Sequence, residues 1–231
     1  MSSIQRLTSN ALFILALAIS YTLFTIGLAQ TVTDIGKQVQ DNLSKSPWEA
    51  NITGKIQLPD GSSQDADFRV QVIPGKAAAD TLLRIDFKKP SSLEGNFVVV
   101  SDKEVWNYLF LTNQVVIQPR AKANVQGLGV NLTGLSDFNQ LTEKVNLKLL
   151  GDAQSPDGPA WRIQGTPKEA SQGFASMEIV VLKSDPRPVS ITLKDASGKA
   201  VADLAVSNFK RSALTPQALK KYPADAEVVK K

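Results

Sequence analysis

Apolar and polar residues alternate with a period of two through most of the chain from Trp48 onward. Ile52, Gly54, Ile56 and Leu58 alternate with Thr53, Lys55 and Gln57, and Pro59-Asp60-Gly61 closes the run with a turn signal. Phe68, Val70 and Val72 then alternate with Asp67, Arg69 and Gln71, and Leu83, Ile85 and Phe87 with Arg84, Asp86 and Lys88. Phe97–Val100 is a short apolar run, and Trp106, Tyr108 and Phe110 share one parity in the next, followed by Val115 and Ile117. Five further runs centre on Leu147, Ile163, Ile179, Ile191 and Leu204. Such a pattern predicts about eleven short strands, each apolar on one side. Their short connections predict mostly antiparallel pairing. So many strands in one sheet must curl, although a two-sheet sandwich asks for the same alternation. Periodicity alone leaves both architectures open.

Two segments depart from this period. Thr33 to Lys45 places Ile35, Val39 and Leu43 four residues apart, which predicts a short amphipathic helix that covers an apolar surface. Ala121 to Leu141 is rich in glycine and asparagine, yet carries Val125, Leu128, Val130, Leu132, Leu135, Phe138 and Leu141. Ser136 is placed to cap a short helix there. An apolar insertion of this length is either a permanent plug or a movable cover.

The first thirty residues are of another kind. Arg6 precedes an apolar run from Ala11 to Gly27, and Gly27 and Ala29 are the small residues of a cut after Ala29. A basic start, an apolar run and a small-x-small site predict a secretory signal peptide over residues 1–29, with a retained membrane anchor as the rival. The remaining 30–231 predict one exported all-β domain.

Composition narrows the chemistry. The chain of 231 residues contains neither cysteine nor histidine. Disulfides, thiol nucleophiles, thiolate metal sites and the histidine proton shuttle are thereby removed. The net charge of +4 is spread among interspersed acids and bases, unlike the concentrated basic stripe of a nucleic-acid binder. Asp65/Asp67 and Asp102/Glu104 lie at turns or strand starts, where carboxylates are solvated rather than set for glycosidase work. Gly127-x-Gly129 lacks the third glycine of a dinucleotide loop. The expectation is a monomeric binding protein, not an enzyme, with no metal and no cofactor.

One stretch carries a resemblance. Phe87-Lys88-Lys89-Pro90, then Val98-Val99-Val100, then Ser101-Asp102-Lys103-Glu104-Val105-Trp106-Asn107-Tyr108 resembles the strand, Ser-Asp-Gly turn and Trp-x-Tyr strand of the LolA-type periplasmic lipoprotein carriers. The end of the chain, Leu214-Thr215-Pro216 through Tyr222-Pro223-Ala224-Asp225-Ala226-Glu227-Val228-Val229, is similar to that family's closing segment. Lys103 stands where the family has glycine, and the family's arginine near the third strand has no counterpart: Ala79 falls near that place and Arg84 is on the polar side.

The resemblance implies an incomplete, half-open β-barrel with an N-terminal helix and a short helical lid over its concave face. It implies a periplasmic protein that takes the acyl chains of lipoproteins, or other lipids, from an inner-membrane lipoprotein-releasing transporter to an outer-membrane acceptor. Related folds also serve as envelope lipid-binding or stress-sensing modules. On this reading the hydrophobic cavity is one face bearing Phe68, Val70, Leu83, Ile85, Phe87, Phe97, Val99, Trp106, Tyr108, Phe110, Val115 and Ile117. The lid bears Val125, Leu128, Val130, Leu132, Leu135 and Phe138.

Overall fold

The computed structural model describes residues 30–58, 60–122, 141, 143–169 and 174–231. The expected signal peptide over 1–29 and the expected lid residues from Val125 to Phe138 lie outside the described residues.

Helix α1 (Val32–Leu43) opens on Thr31, whose hydroxyl accepts from the Asp34 amide at 3.1 Å while the Asp34 carboxylate accepts from the Thr31 amide at 3.1 Å. This reciprocal pair satisfies two of the free donors at a helix start. Ile35, Val39 and Leu43 form its buried stripe, as their spacing predicted. They face the sheet, with Val32 packed beside them, because the other face of the helix is polar.

The strands form two antiparallel meanders. The first comprises β1 (Trp48–Gln57), β2 (Ser63–Ile73), β3 (Leu82–Lys89), β4 (Phe97–Val100), β5 (Glu104–Leu109) and β6 (Gln114–Pro119). The second comprises β7 (Val145–Ser155), β8 (Gly158–Pro167), β9 (Ser176–Leu182), β10 (Pro188–Lys194) and β11 (Ala200–Arg211). Antiparallel pairing of β1 with β11 joins them into one sheet. A short helix α2 (Pro216–Leu219), capped by Thr215, leads to β12 (Glu227–Lys230). That last strand lies parallel to β6 and covers its edge, which removes one row of free backbone groups.

The sheet order is β12-β6-β5-β4-β3-β2-β1-β11-β10-β9-β8-β7, a single curved sheet that does not close. The sandwich alternative is thereby settled against. Eleven strands stand where the alternation predicted them, and β12 is the addition.

Register fixes which side chains share a face. Along one line the pairs Phe87–Phe68, Phe68–Ile52, Ile52–Val206 and, one step on, Leu204–Ile191–Ile179–Ile163 run across the sheet. These residues, with the stripe of α1, make the main core, so this face is the inner one. Gly54 lets β1 and β11 approach along that line, for a Cβ there would collide with the Asp203 carbonyl.

A second, smaller core lies on the outer face. There Leu219 of α2, fully buried, and the half-buried Leu214 and Tyr222 pack against β4, β5 and β6. The C-terminal segment is therefore a second cover, on the side opposite α1.

Candidate functional site

The inner face is not packed solid. A cleft opens where Leu43 at the end of α1 meets the sheet. Its floor is Trp48, Ala50 and Ile52 of β1 with Val70 and Val72 of β2, and Leu83 and Ile85 of β3 extend it. Pro188 and Ile191 of β10, and Val206 and Phe209 of β11, form the opposite wall. The hollow in the cleft is small, about 40 Å³. That is room for about three waters. Among the described residues the walls are apolar but for one charged residue, Arg187.

The hollow exists because the floor is uneven. Ala50 sits where the β1–β11 register shifts between Glu49 and Asn51, and its single methyl group stands between the larger Trp48 and Ile52. A small side chain at a bulge leaves a dip that its neighbours bridge without filling.

The mouth is polar and ordered. Arg187 is nine-tenths buried; its Nε donates to Asp185 at 3.1 Å and its Nη2 to Asp157 at 2.8 Å. Arg211 donates to the Ser46 carbonyl at 3.0 Å and, through Nη2, to the Asn42 side-chain oxygen at 3.0 Å. The Asn42 amide in turn donates to Asp185 at 2.7 Å and to the Pro186 carbonyl at 3.0 Å. These bonds fasten the C-terminal end of α1 across the cleft. Phe209 lies among three partners: the Trp48 ring at 5.5 Å, the Arg187 guanidinium at 5.0 Å and that of Arg211 at 5.2 Å, distances at which cation–π attraction acts. Two donors at this end have no acceptor among the described residues. They are Trp48 Nε1 and Arg187 Nη1, both buried. Each such orphan costs about 1–3 kcal/mol.

The predicted cavity residues do not all meet here. Val70, Leu83 and Ile85 line the cleft. Phe68 and Phe87 share the same inner core further along β2 and β3, edge to face at 6.0 Å. The single-face expectation fails for the others. Phe97, Val99, Tyr108, Val115 and Ile117 are buried on the outer face, with Trp106 half-buried beside them. Phe97 stacks on Tyr108 at 4.9 Å and Trp106 meets Tyr222 at 5.9 Å, under the C-terminal cover.

The reason is register. Ile85 pairs with Val98 and Leu83 with Val100, so the even residues of β4 face inward and Phe97 and Val99 face out. One step of offset reverses a whole strand. All four residues of β4 are apolar and buried, so its alternation gives no parity to read. Phe110 belongs to neither core. It lies in a 3₁₀ turn (Phe110–Thr112) and is 57% exposed, with its side chain against Gly95.

The alternation of β1, β10 and β11 could have supplied Ile52, Ile191 and Val206, since each sits at an apolar position of its run. Nothing in the local sequence marks Arg187.

No protein-family model matches this chain, and no curated protein does. Among solved structures, an uncharacterized conserved protein from Thermus thermophilus is 41% identical over 87% of this chain and 100% of that one, with a TM-score of 0.66. MucB of Pseudomonas aeruginosa, in its complex with MucA, is 14% identical over 85% of this chain and 62% of that one, with a TM-score of 0.54. That likeness is one of fold. A LolA superfamily protein from Nitrosomonas europaea is 15% identical over 84% and 99% of the two chains, with a TM-score of 0.43. The chain belongs to the family of the Thermus thermophilus protein, and its half-open sheet shares the fold of MucB.

Proposed function

We propose that this protein binds an acyl chain in the inner-face cleft, in the envelope of a two-membrane bacterium, and carries it between membranes as part of a lipoprotein or lipid. The observation that supports the reading is the cleft itself: apolar walls from α1 and five strands around a hollow, with one charged side chain at its end. Burial of each methylene contributes about 0.8 kcal/mol. A chain of ordinary length is therefore held without any directed chemistry.

The hollow as it stands takes only the tip of such a chain. Entry of the rest calls for the C-terminal end of α1 to lift, which breaks the hydrogen bonds of Asn42 and Arg211 and uncovers Leu43. Among the described residues the walls of the cleft carry no carboxylate, and the chain has no histidine or cysteine, which favours reading it as a binding protein.

Native mass spectrometry of the purified protein is the test, together with titration of a fluorescent fatty-acyl probe. Co-purified lipid or saturable probe uptake supports the proposal. A protein that carries no lipid and takes up no probe at micromolar concentration overturns it. The small enclosed volume favours a second reading, a lipid-binding module that reports an acyl chain without passing it on. Movement of bound probe to acceptor vesicles separates carrier from module.

A further inference from the structure

The cleft ends against two rings. Its lining takes in Ile52, Val70 and Ile85, but neither Phe68, which pairs with Ile52 across β1 and β2, nor Phe87, which pairs with Phe68. Phe68 and Phe87 stand two positions beyond Val70 and Ile85 on their strands, and so on the same inner face. Their rings meet edge to face at 6.0 Å, an arrangement that aromatic pairs favour. Phe68 is fully buried and Phe87 is buried beside it. One step further along, the bulk falls away, for Ala66 pairs with Gly54. The rings are therefore the large side chains that close this end of the hollow.

The two ends of the cleft suit different parts of a guest. Arg187 and Arg211 hold the mouth with Asn42 and Asp185 beside Phe209, whereas the far end is hydrocarbon. A polar head pushed against the two rings would be stripped of water with nothing to replace it, so a chain enters tail first. From Trp48 beside the mouth to Ile52 beside the rings is four residues of β1, about 13 Å at the rise of a strand. Nine C–C bonds of about 1.5 Å, laid in a zigzag, span about 11 Å. A chain of about ten carbons therefore fills the distance once its terminal methyl group is included.

We infer that the Phe68–Phe87 pair is the stop at the blind end of the cleft and fixes the length of tail that it holds, about ten carbons, with any remainder left at the mouth. The inference rests on the reading of the cleft as an acyl-chain site, and adds to it a selectivity for length. Each methylene drawn in raises affinity about fourfold. One that stays in water at the mouth adds little, so affinity breaks from a steep rise to a level where the tail meets the rings.

The test is displacement of a bound fluorescent fatty-acyl probe from the purified protein by saturated fatty acids from hexanoate to hexadecanoate, each below its micelle concentration. Affinity is expected to climb about fourfold per methylene to a break near decanoate, and by less than twofold per methylene beyond it. A climb that continues unbroken to hexadecanoate overturns the stop in the parent protein itself. Phe87→Leu keeps the core apolar and removes the breadth of the ring. It is expected to move the break by at least one methylene, so that the first acid past the parent's break gains about fourfold in the variant alone. Ile85→Phe sets a ring ahead of the pair and is expected to move the break to a shorter chain. Melting curves show which variants are folded, and either one suffices. A break that stays in place in a folded variant overturns the assignment of the stop to this pair while the acyl site stands. Failure of the probe and of every acid to bind overturns the acyl site itself.

Discussion

Arg84 donates from Nη1 to the carbonyl oxygen of Leu219 at 2.9 Å, and so ties β3 to the last turn of α2. The same nitrogen reaches the Lys221 carbonyl at 2.7 Å, Nε reaches Asp86 at 2.9 Å, and the guanidinium carbon lies 3.8 Å from the centre of the Phe97 ring. One side chain thus serves four partners on the outer face. Its fork can do so because it is planar and has five donors, which an ammonium is not and has not. Arg84→Lys is expected to cost about 1–3 kcal/mol in urea unfolding and to speed amide exchange across 214–230 selectively. Unchanged exchange in that segment would show that the apolar contacts of Leu219 hold it alone.

Glu49 is the most enclosed carboxylate of the outer face, with only 8% of its side chain exposed. Burial pushes its carboxyl up, but hydrogen bonds from Arg69 and then Lys210 more than reverse this and leave it lowered. Gln71 adds a bond at 3.1 Å and Lys210 stands at 2.9 Å. A group that gives up its proton more readily in the fold than in the unfolded chain stabilises the fold at higher pH. Its contribution is complete above the unfolded value of about 4.3 and is lost as pH falls through the lower folded value. Glu49→Gln is expected to lower stability at pH 7 and to make the decline in acid shallower. Denaturant titrations between pH 3 and 7 read both; parallel curves for the two proteins would remove Glu49 from the acid response.

The division of the predicted cavity into two faces has a direct consequence. Leu219 is fully buried on the outer face among Phe97, Val99 and Tyr108, with the sheet between it and the cleft. Leu219→Ala is expected to cost about 2–5 kcal/mol, as large-to-small changes in a core do, yet to leave acyl-probe affinity within twofold in the protein that remains folded. Loss of probe binding in step with Leu219 would place the ligand under the C-terminal cover instead.

Much of this fold is legible from parity alone. β2 and β3 alternate cleanly, so the pattern by itself puts Val70, Leu83 and Ile85 on one face, and that face does line the cleft. β4 could not be read in this way. Phe97, Val98, Val99 and Val100 are apolar without interruption because both of their faces are covered, one by the main core and the other by the C-terminal segment. The Trp-x-Tyr of β5 then follows β4 outward by register, with Phe97 opposite Tyr108 and Val99 opposite Trp106. The covering segment carries Leu214, Leu219 and Tyr222 without a regular period and forms only four residues of helix, so no alternation in 214–230 announced a second core. Arg187 is harder still. It follows Asp185-Pro186 in a turn, where an arginine is ordinarily solvated, and only the fold buries it against Phe209.

The hollow can be filled without touching its chemistry. Ala50 lies on the cleft floor, 2% exposed, opposite Val70 of β2. Ala50→Val adds two methyl groups of the type that strands favour, at a position where the space for a few water molecules lies next to the side chain. If that space is a packing flaw, the added methyls improve the core, and stability rises with no other effect. If it admits the tip of an acyl chain, the same methyls occupy the guest's place. The expectation is therefore a pair of readings from one protein: a melting temperature equal to or above the parent, and acyl-probe affinity reduced at least fivefold, which is about 1 kcal/mol. Probes of the same chain length lose affinity alike whatever their head, because the obstruction is to the tail. A melting temperature that rises while every probe binds as before would leave the dip at Ala50 a flaw in packing and move the tail elsewhere along the inner face.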